Sequence, residues 1–286
     1  MSNYKYPTPQ LLFKAICNAI RSKTGSSDEI PHQNIPDELD SIITEEEYNI
    51  EMQRFIDIIE GTSFINDRIT TVKEVLFYNC TNLTTVNLPK CTSINNNAFR
   101  NCTSLTTVNL PKCTSIINHA FKSCTSLTTI NLPECTSIGN NTFDSCTNLT
   151  TVNLPECTSI GSSAFENCTS LTTVNLPKCT SIGNYAFDSC TNLTTVNLPK
   201  CTSIGNYAFY ICTNLTTIIL SNNQVATLKS IRTFNNSSIA NGTGYVYVPD
   251  NLVDSYKTAT NWSTYANQIK PISELPSNLK EEYGYD

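Results

Sequence analysis

The sequence is short of the groups that carry out chemistry. Only two histidines occur in 286 residues, His32 and His119. They are far apart and neither belongs to a Ser/His/Asp grouping, so no acid–base or nucleophilic constellation assembles. Positive charge is also scarce: 18 Lys and Arg stand against 24 Asp and Glu, a net charge of -6. A nucleic-acid binder needs a basic stripe to neutralise phosphates, and none is present. No apolar run approaches the ~20 residues that a helix needs to span a bilayer, which excludes membrane insertion by that route. The start, MSNYKYPTPQ, lacks a basic region followed by an apolar one, so no ordinary secretory signal is expected. Hydrophobic residues make up 39%, lower than a globular core of this length suggests.

What the chain has instead is repetition. From residue 77 to 220 one 22-residue sentence recurs, most clearly over residues 186–207, AFDSCTNLTTVNLPKCTSIGNY. Phe returns at 77, 99, 121, 143, 165, 187 and 209, and Cys at 80, 102, 124, 146, 168, 190 and 212. A second Cys series at 91, 113, 135, 157, 179 and 201 lies half a repeat away. A fixed period of 20 to 29 residues means a solenoid, in which each coil buries its apolar side against its neighbours. Its core is a narrow column, which a modest apolar content fills.

Each unit carries L-T-T-[VI]-x-L, the signature of a leucine-rich repeat. Strand alternation turns Val86 and Leu88 inward and Thr85 and Asn87 outward. Pro89 ends the strand because it has no N–H for the ladder. Ile94 and Phe99 fill the core from the far side, and a short helical turn is expected over residues 98–102. The expected fold is therefore an α/β leucine-rich repeat solenoid. It has a parallel β-sheet on one face and short helical turns on the other, with a helical N-terminal cap and a mixed C-terminal cap.

Three segments follow from this reading: 1–61, a helical N-terminal segment; 62–220, a degenerate first coil plus seven strand units; and 221–286, a C-terminal capping module. In the first, residues 10–23 form an amphipathic pattern stopped by Gly25, and a short helical piece fits residues 36–43. Thr44 and Glu47 make a capping box ahead of Met52, Phe55, Ile56 and Ile59. In the last, 221–244 reads as polar and irregular, and YVYV at 245–248 as a strand pairing with the last coil. Leu252, Tyr256, Trp262 and Tyr265 are placed to cover the open end, with Trp262 as cap core, and the acidic tail from 274 reads as loose.

Fourteen cysteines ordinarily suggest disulfides. Thirteen of these occupy repeat positions, with Cys17 outside. Equivalent residues on adjacent coils sit about 4.7–4.9 Å apart with parallel side chains, whereas a disulfide needs converging vectors and Cβ atoms nearer ~3.8 Å. The expectation is two ladders of buried free thiols. Their eleven-residue alternation also fails the paired spacing of a structural zinc site, so no metal and no cofactor is expected.

The outward strand positions form the candidate binding face. One column is Thr85, Thr107, Thr129, Thr151, Thr173 and Thr195, ending at Thr217. The other is Asn87, Asn109, Asn131, Asn153, Asn175 and Asn197, closing with Ile219. This regular, uncharged surface suits an extended or repetitive protein or glycan partner; the alternative is that Thr and Asn satisfy solvent and one another. Variation lies elsewhere. The position after the strand proline reads Lys90, Lys112, Glu134, Glu156, Lys178, Lys200, and that after Phe reads Tyr78, Arg100, Lys122, Asp144, Glu166, Asp188, Tyr210. His119 falls in a variable column that ends in Tyr185 and Tyr207, a candidate aromatic spot.

The pattern [AT]-F-x-x-C-T-x-L-T-T-[VI]-N-L-P-x-C-T-S-I-[GNI] closely resembles the BspA-like leucine-rich repeats of bacteria and protozoa. The resemblance implies a surface-exposed recognition protein, some members of the family binding host matrix proteins. The family's repeat is commonly a residue longer, with a small or apolar residue where this chain has Cys91 and its series, so a particular ligand does not carry over. Residues 248–272 resemble the module that follows such repeats. Residues 18–39, NAIRSKTGSSDEIPHQNIPDEL, resemble a segment of tail-associated proteins of phages and prophages. The first resemblance implies a non-enzymatic adhesion protein of a bacterial surface, the second a prophage-encoded virion component contacting a host cell.

Overall fold

The computed structural model describes residues 62–285, and the helices expected within 1–61 lie outside the described residues. Strands come two to a coil, in chain order: β1 (Ser63–Ile65), β2 (Thr71–Val72), β3 (Thr85–Asn87), β4 (Ser93–Ile94), β5 (Thr107–Asn109), β6 (Ser115–Ile116), β7 (Thr129–Asn131), β8 (Ser137–Ile138) and β9 (Thr151–Asn153). The series continues with β10 (Ser159–Ile160), β11 (Thr173–Asn175), β12 (Ser181–Ile182), β13 (Thr195–Asn197), β14 (Ser203–Ile204), β15 (Thr217–Ile219) and β16 (Thr227–Leu228). Residues beyond form β17 (Tyr245–Val248), helix α1 (Val253–Thr258), β18 (Ile269–Pro271) and helix α2 (Ser277–Tyr283).

All pairings are parallel. The 22-residue period sets the register Thr173↔Thr195 and Val174↔Val196 on one face and Ser159↔Ser181 on a second. Val86, Leu88, Ile94 and Phe99 are fully buried, as alternation requires. Phe64 pairs with Val86 and Val72 with Ile94, which makes residues 63–76 a first coil without the Cys and Leu signature. The phenylalanines stack along the axis from Phe77 to Phe209, centroids 4.9–5.5 Å apart.

The far side of the coil departs from expectation. The Ser-Ile pairs form a second parallel sheet of eight strands, from β2 to β16. The segment at 98–102 is a tight run of turns and no helix. Asn97 and Asn101 adopt φ of 54° and 61°, and the same two positions are positive in every coil from Val75 and Asn79 to Tyr207 and Ile211. That geometry aims alternate N–H groups along the axis: Asn97, Phe99 and Asn101 donate to the carbonyls of Asn118, Ala120 and Lys122 on the next coil. A helix would turn those donors back into its own coil.

Left-handed backbone costs a side-chain-bearing residue about 1–2 kcal/mol, least for Asn. Ile211, β-branched and at φ 54°, occupies a position held by Asn79, Asn101 and Asn167 elsewhere. Ile211→Asn is expected to stabilise the protein by about 1 kcal/mol, read as a rise in the urea midpoint; an unchanged or lower midpoint contradicts the strain argument.

Adjacent coils approach closely at Gly161, Gly183 and Gly205. A Cβ on Gly183 would lie 2.5 Å from the Gly161 carbonyl carbon and 2.6 Å from the Ser162 nitrogen. The atoms it would meet are all backbone of the preceding coil and cannot move cheaply, so Gly183→Ala should cost about 1–3 kcal/mol in urea unfolding. A loss below the ordinary Gly-to-Ala range would show that the coils can separate.

Thirteen cysteines are free thiols in two ladders, as their spacing requires. They are not inert filler. Cys102, Cys124, Cys146, Cys168, Cys190 and Cys212 donate S–H to a phenylalanine carbonyl one coil back, at 3.0–3.2 Å. Cys91 and its series donate to a serine carbonyl two residues on, at 3.2–3.4 Å.

The C-terminal region is more regular than its composition suggests. Residues 221–244 contain β16, which pairs with β14, and Phe234, which extends the phenylalanine stack. The coil offset there is 24–25 residues, Ser203↔Thr227 and Phe209 to Phe234, which hides it from a 22-residue period. The YVYV strand β17 pairs with β15, and β18 adds a further rung beyond it. Trp262, Tyr256 and Tyr265 are buried. Their polar ends satisfy the exposed edge of the second sheet: Trp262 Nε1 donates to the Ala226 carbonyl at 2.6 Å and Asn261 Nδ2 to Leu228 at 2.6 Å. The Ala226 N–H donates to the Tyr256 hydroxyl at 3.0 Å, and Tyr265 donates to the Ile231 carbonyl.

The tail is ordered, contrary to expectation. Leu275 is buried with Ile219 and Tyr247, and Leu279, Tyr283 and Tyr285 pack against them. Gly284, at φ 72°, ends α2 in the left-handed conformation that turns the chain back. Tyr285 then donates its hydroxyl to Asn197 Oδ1 at 2.8 Å and lies 2.9 Å from Ser221 Oγ. Apolar residues spaced through an acidic sequence anchor it.

Candidate recognition face

The first sheet presents the outward Thr and Asn columns. Thr107, Asn109, Thr129, Asn131, Thr151, Asn153, Thr173 and Asn175 are exposed, and Thr85 and Asn87 are half-buried. Thr195 and Asn197 do not share this face as open positions. They are 8% and 4% exposed, because the tail lies over β13 and β15. The available surface therefore runs from β3 to β11. One signal of the covered end was in the sequence: Ile219 interrupts the Asn column with an apolar residue that needs covering.

The Asn column is hydrogen-bonded in twos. Asn109 Nδ2 donates to Asn87 Oδ1 at 2.7 Å, Asn153 to Asn131 at 2.7 Å and Asn197 to Asn175 at 3.0 Å. The strands are grouped accordingly. Pairing joins β1-β3-β5, then β7-β9, then β11-β13-β15-β17-β18, with a break after β5 and after β9. Val108 and Val152, on the strands preceding the breaks, are half-exposed where the corresponding residues elsewhere are buried. Ion pairs span the same junctions: Lys112 to Glu134 at 2.5 Å and Lys178 to Glu156 at 2.6 Å. Exposed pairs of this kind contribute at most about 1 kcal/mol.

Tyr185 and Tyr207 do come together, stacked at 4.9 Å with 3° between ring planes. Tyr210 meets Tyr207 edge-on, and Arg232 Nη1 donates to the Tyr207 hydroxyl at 2.7 Å. His119 is half-buried, its pKa lowered by burial and by Arg100 and Lys122 nearby. Along the post-Phe column Lys122 pairs with Asp144 at 2.6 Å. Burial pushes the Asp188 carboxyl up, with Glu166 adding to the effect. Among the described residues, no group of His, Cys, Asp and Glu has the arrangement of a metal site, and no helix is long and apolar enough to cross a membrane.

Burial raises the pKa of all thirteen thiols: to about 11 for Cys135 and Cys201 and about 12 for Cys80, Cys113, Cys157 and Cys179. Thiols held neutral are poor nucleophiles.

The family described as "BspA type Leucine rich repeat region (6 copies)" matches over residues 48–157 and 136–252. A leucine-rich repeat protein of T. pallidum is 31% identical, with a TM-score of 0.51, over 55% of this chain and 78% of that one. A leucine-rich repeat protein of Bacteroides ovatus is 22% identical over 63% and 58%, TM-score 0.39. A leucine rich cell surface protein of Faecalibacterium prausnitzii is 22% identical over 74% and 78%, TM-score 0.35. No curated protein matches the chain.

Proposed function

The chain belongs to the BspA-type leucine-rich repeat proteins, and from that premise we propose that it is a non-enzymatic recognition protein of a bacterial surface. It takes a protein or glycan partner on the sheet from β3 to β11. One observation carries this reading: the outward Thr and Asn side chains there are exposed and uncharged, while the chain's own tail occupies the adjoining end of the same face. A surface that already accepts a segment of its own chain has the flatness and donor–acceptor density that an extended partner needs.

Labelled protein is applied to bacterial cells and to immobilised host matrix, and bound signal is compared with that of an Asn131→Lys/Asn175→Lys variant. Both positions are exposed and each accepts one side-chain hydrogen bond, so the thermal midpoint should fall only slightly. Binding should fall at least tenfold. Undiminished binding would place recognition elsewhere, for instance at Tyr185 and Tyr207.

The resemblance of residues 18–39 to phage tail-associated segments supports a second placement, in a prophage-encoded particle that uses the same face against a host cell. Fractionation after prophage induction separates the two. Signal in purified particles supports the virion placement, and signal on the envelope supports the adhesin.

A further inference from the structure

The recognition face has a period that the sequence does not announce. Side chains repeat every coil, but hydrogen bonding repeats every second coil, in the pairs Asn87–Asn109, Asn131–Asn153 and Asn175–Asn197. In each pair the second residue donates and the first accepts. The pair therefore leaves an amide N–H at its first end and an Oδ1 at its second. Among the described residues, Asn109 Oδ1 and Asn153 Oδ1 carry no hydrogen bond, nor do Asn131 Nδ2 and Asn175 Nδ2. At each break between strand groups, an acceptor on one coil thus neighbours a donor on the next: Asn109 with Asn131, and Asn153 with Asn175.

A group that both donates and accepts answers such a junction, and a hydroxyl does so with one atom. The molecule supplies its own example. The third acceptor in the series, Asn197 Oδ1, receives the hydroxyl of Tyr285 at 2.8 Å. The two open junctions lie two rungs apart, roughly 9.5 Å. An extended β-1,4-linked glycan repeats once per disaccharide, a length close to two rungs, and its ribbon presents equatorial hydroxyls along an edge at that interval. Neither Thr nor Asn on this face carries charge, which matches a neutral chain and gives nothing to a polyanion.

We infer that the face from β3 to β11 binds a neutral β-1,4-linked glucan lying along the solenoid axis, one disaccharide per two coils, with hydroxyls seated at the Asn109/Asn131 and Asn153/Asn175 junctions. This rests on the sheet-face reading above and narrows it to one class of ligand.

The test titrates the full chain with cellohexaose, cellobiose and maltohexaose by calorimetry. Cellohexaose reaches both junctions and should bind saturably, at least tenfold more tightly than cellobiose, which reaches one. Maltohexaose, whose α-1,4 linkages curl the chain, should not bind. An Asn109→Ala/Asn153→Ala variant removes both open acceptors, together with the exposed bonds to Asn87 and Asn131, and should weaken cellohexaose binding at least tenfold while lowering the thermal midpoint only slightly. Absence of cellohexaose binding overturns the inference, as does equal affinity for maltohexaose or indifference to the double variant. If cell or matrix binding still depends on Asn131 and Asn175 while cellohexaose fails, the sheet-face reading stands and only the glucan assignment falls.

Discussion

Raising the pH from 7 to 9 in the presence of a reductant should destabilise the protein by on the order of 5–10 kcal/mol. Thirteen thiols are held neutral in the fold because burial pushes their pKa values up. In the unfolded chain they ionise near 8.5. Above that value the unfolded state binds fewer protons than the folded one, so stability falls with pH. The stabilisation is complete below about pH 8 and drains away as the pH rises toward the folded values near 11 and 12. Each thiol contributes less than about 1 kcal/mol by pH 9. Thirteen acting together rival the whole stability of an ordinary domain, about 5–15 kcal/mol. Urea unfolding followed by circular dichroism at pH 7, 8 and 9 reads this directly. A midpoint that is flat across that range would mean the thiols are not buried as described.

The second large effect is expected at Trp262. Its ring is fully buried, 5.9 Å from Phe234 and 5.2 Å from Tyr256, and its Nε1 bonds the Ala226 carbonyl. Trp262→Ala should cost about 3–5 kcal/mol by cavity formation, with roughly 1 kcal/mol more for the carbonyl left unpaired. The loss should be accompanied by association, because β16 is the edge of the second sheet and an uncovered edge templates pairing. Trp262→Phe keeps most of the packing and loses the bond, so its cost should be about 1–2 kcal/mol. Circular dichroism gives the midpoints and light scattering the association. A Trp262→Ala variant within 1 kcal/mol of the parent, and monodisperse, would show that the cap is dispensable.

The repeat was legible in the sequence because one physical constraint acts at each position. Strand alternation placed Val86 and Thr85 on opposite faces, and the conflict between strand spacing and disulfide geometry kept the cysteines reduced. The second sheet was less visible, since two-residue Ser-Ile strands are too short to show alternation. The turn at 98–102 read as helical because Ala, Phe and Cys at three- and four-residue spacing resemble a helix face. Its positive φ values rest on inter-coil hydrogen bonds that no local pattern declares. At the candidate recognition face the columns were legible and their occupancy was not. Nothing local to residues 195–197 says that Tyr285 will cover Asn197, a contact spanning 88 residues. The pairing of Asn residues in twos is likewise a property of the stacked ladder, since every copy of the motif there reads alike.

Among the described residues, the tail reaches back to β13 by way of Tyr285 and Asn197. Among the described residues, the coils before β13 pair with their neighbours in a register that each copy shares. Unequal recombination between the near-identical copies at residues 164–185 and 186–207, or among earlier ones, would therefore add or remove whole coils without disturbing the C-terminal closure. Such events change the length of the open track in steps of one coil, and each odd step leaves an asparagine without its pair.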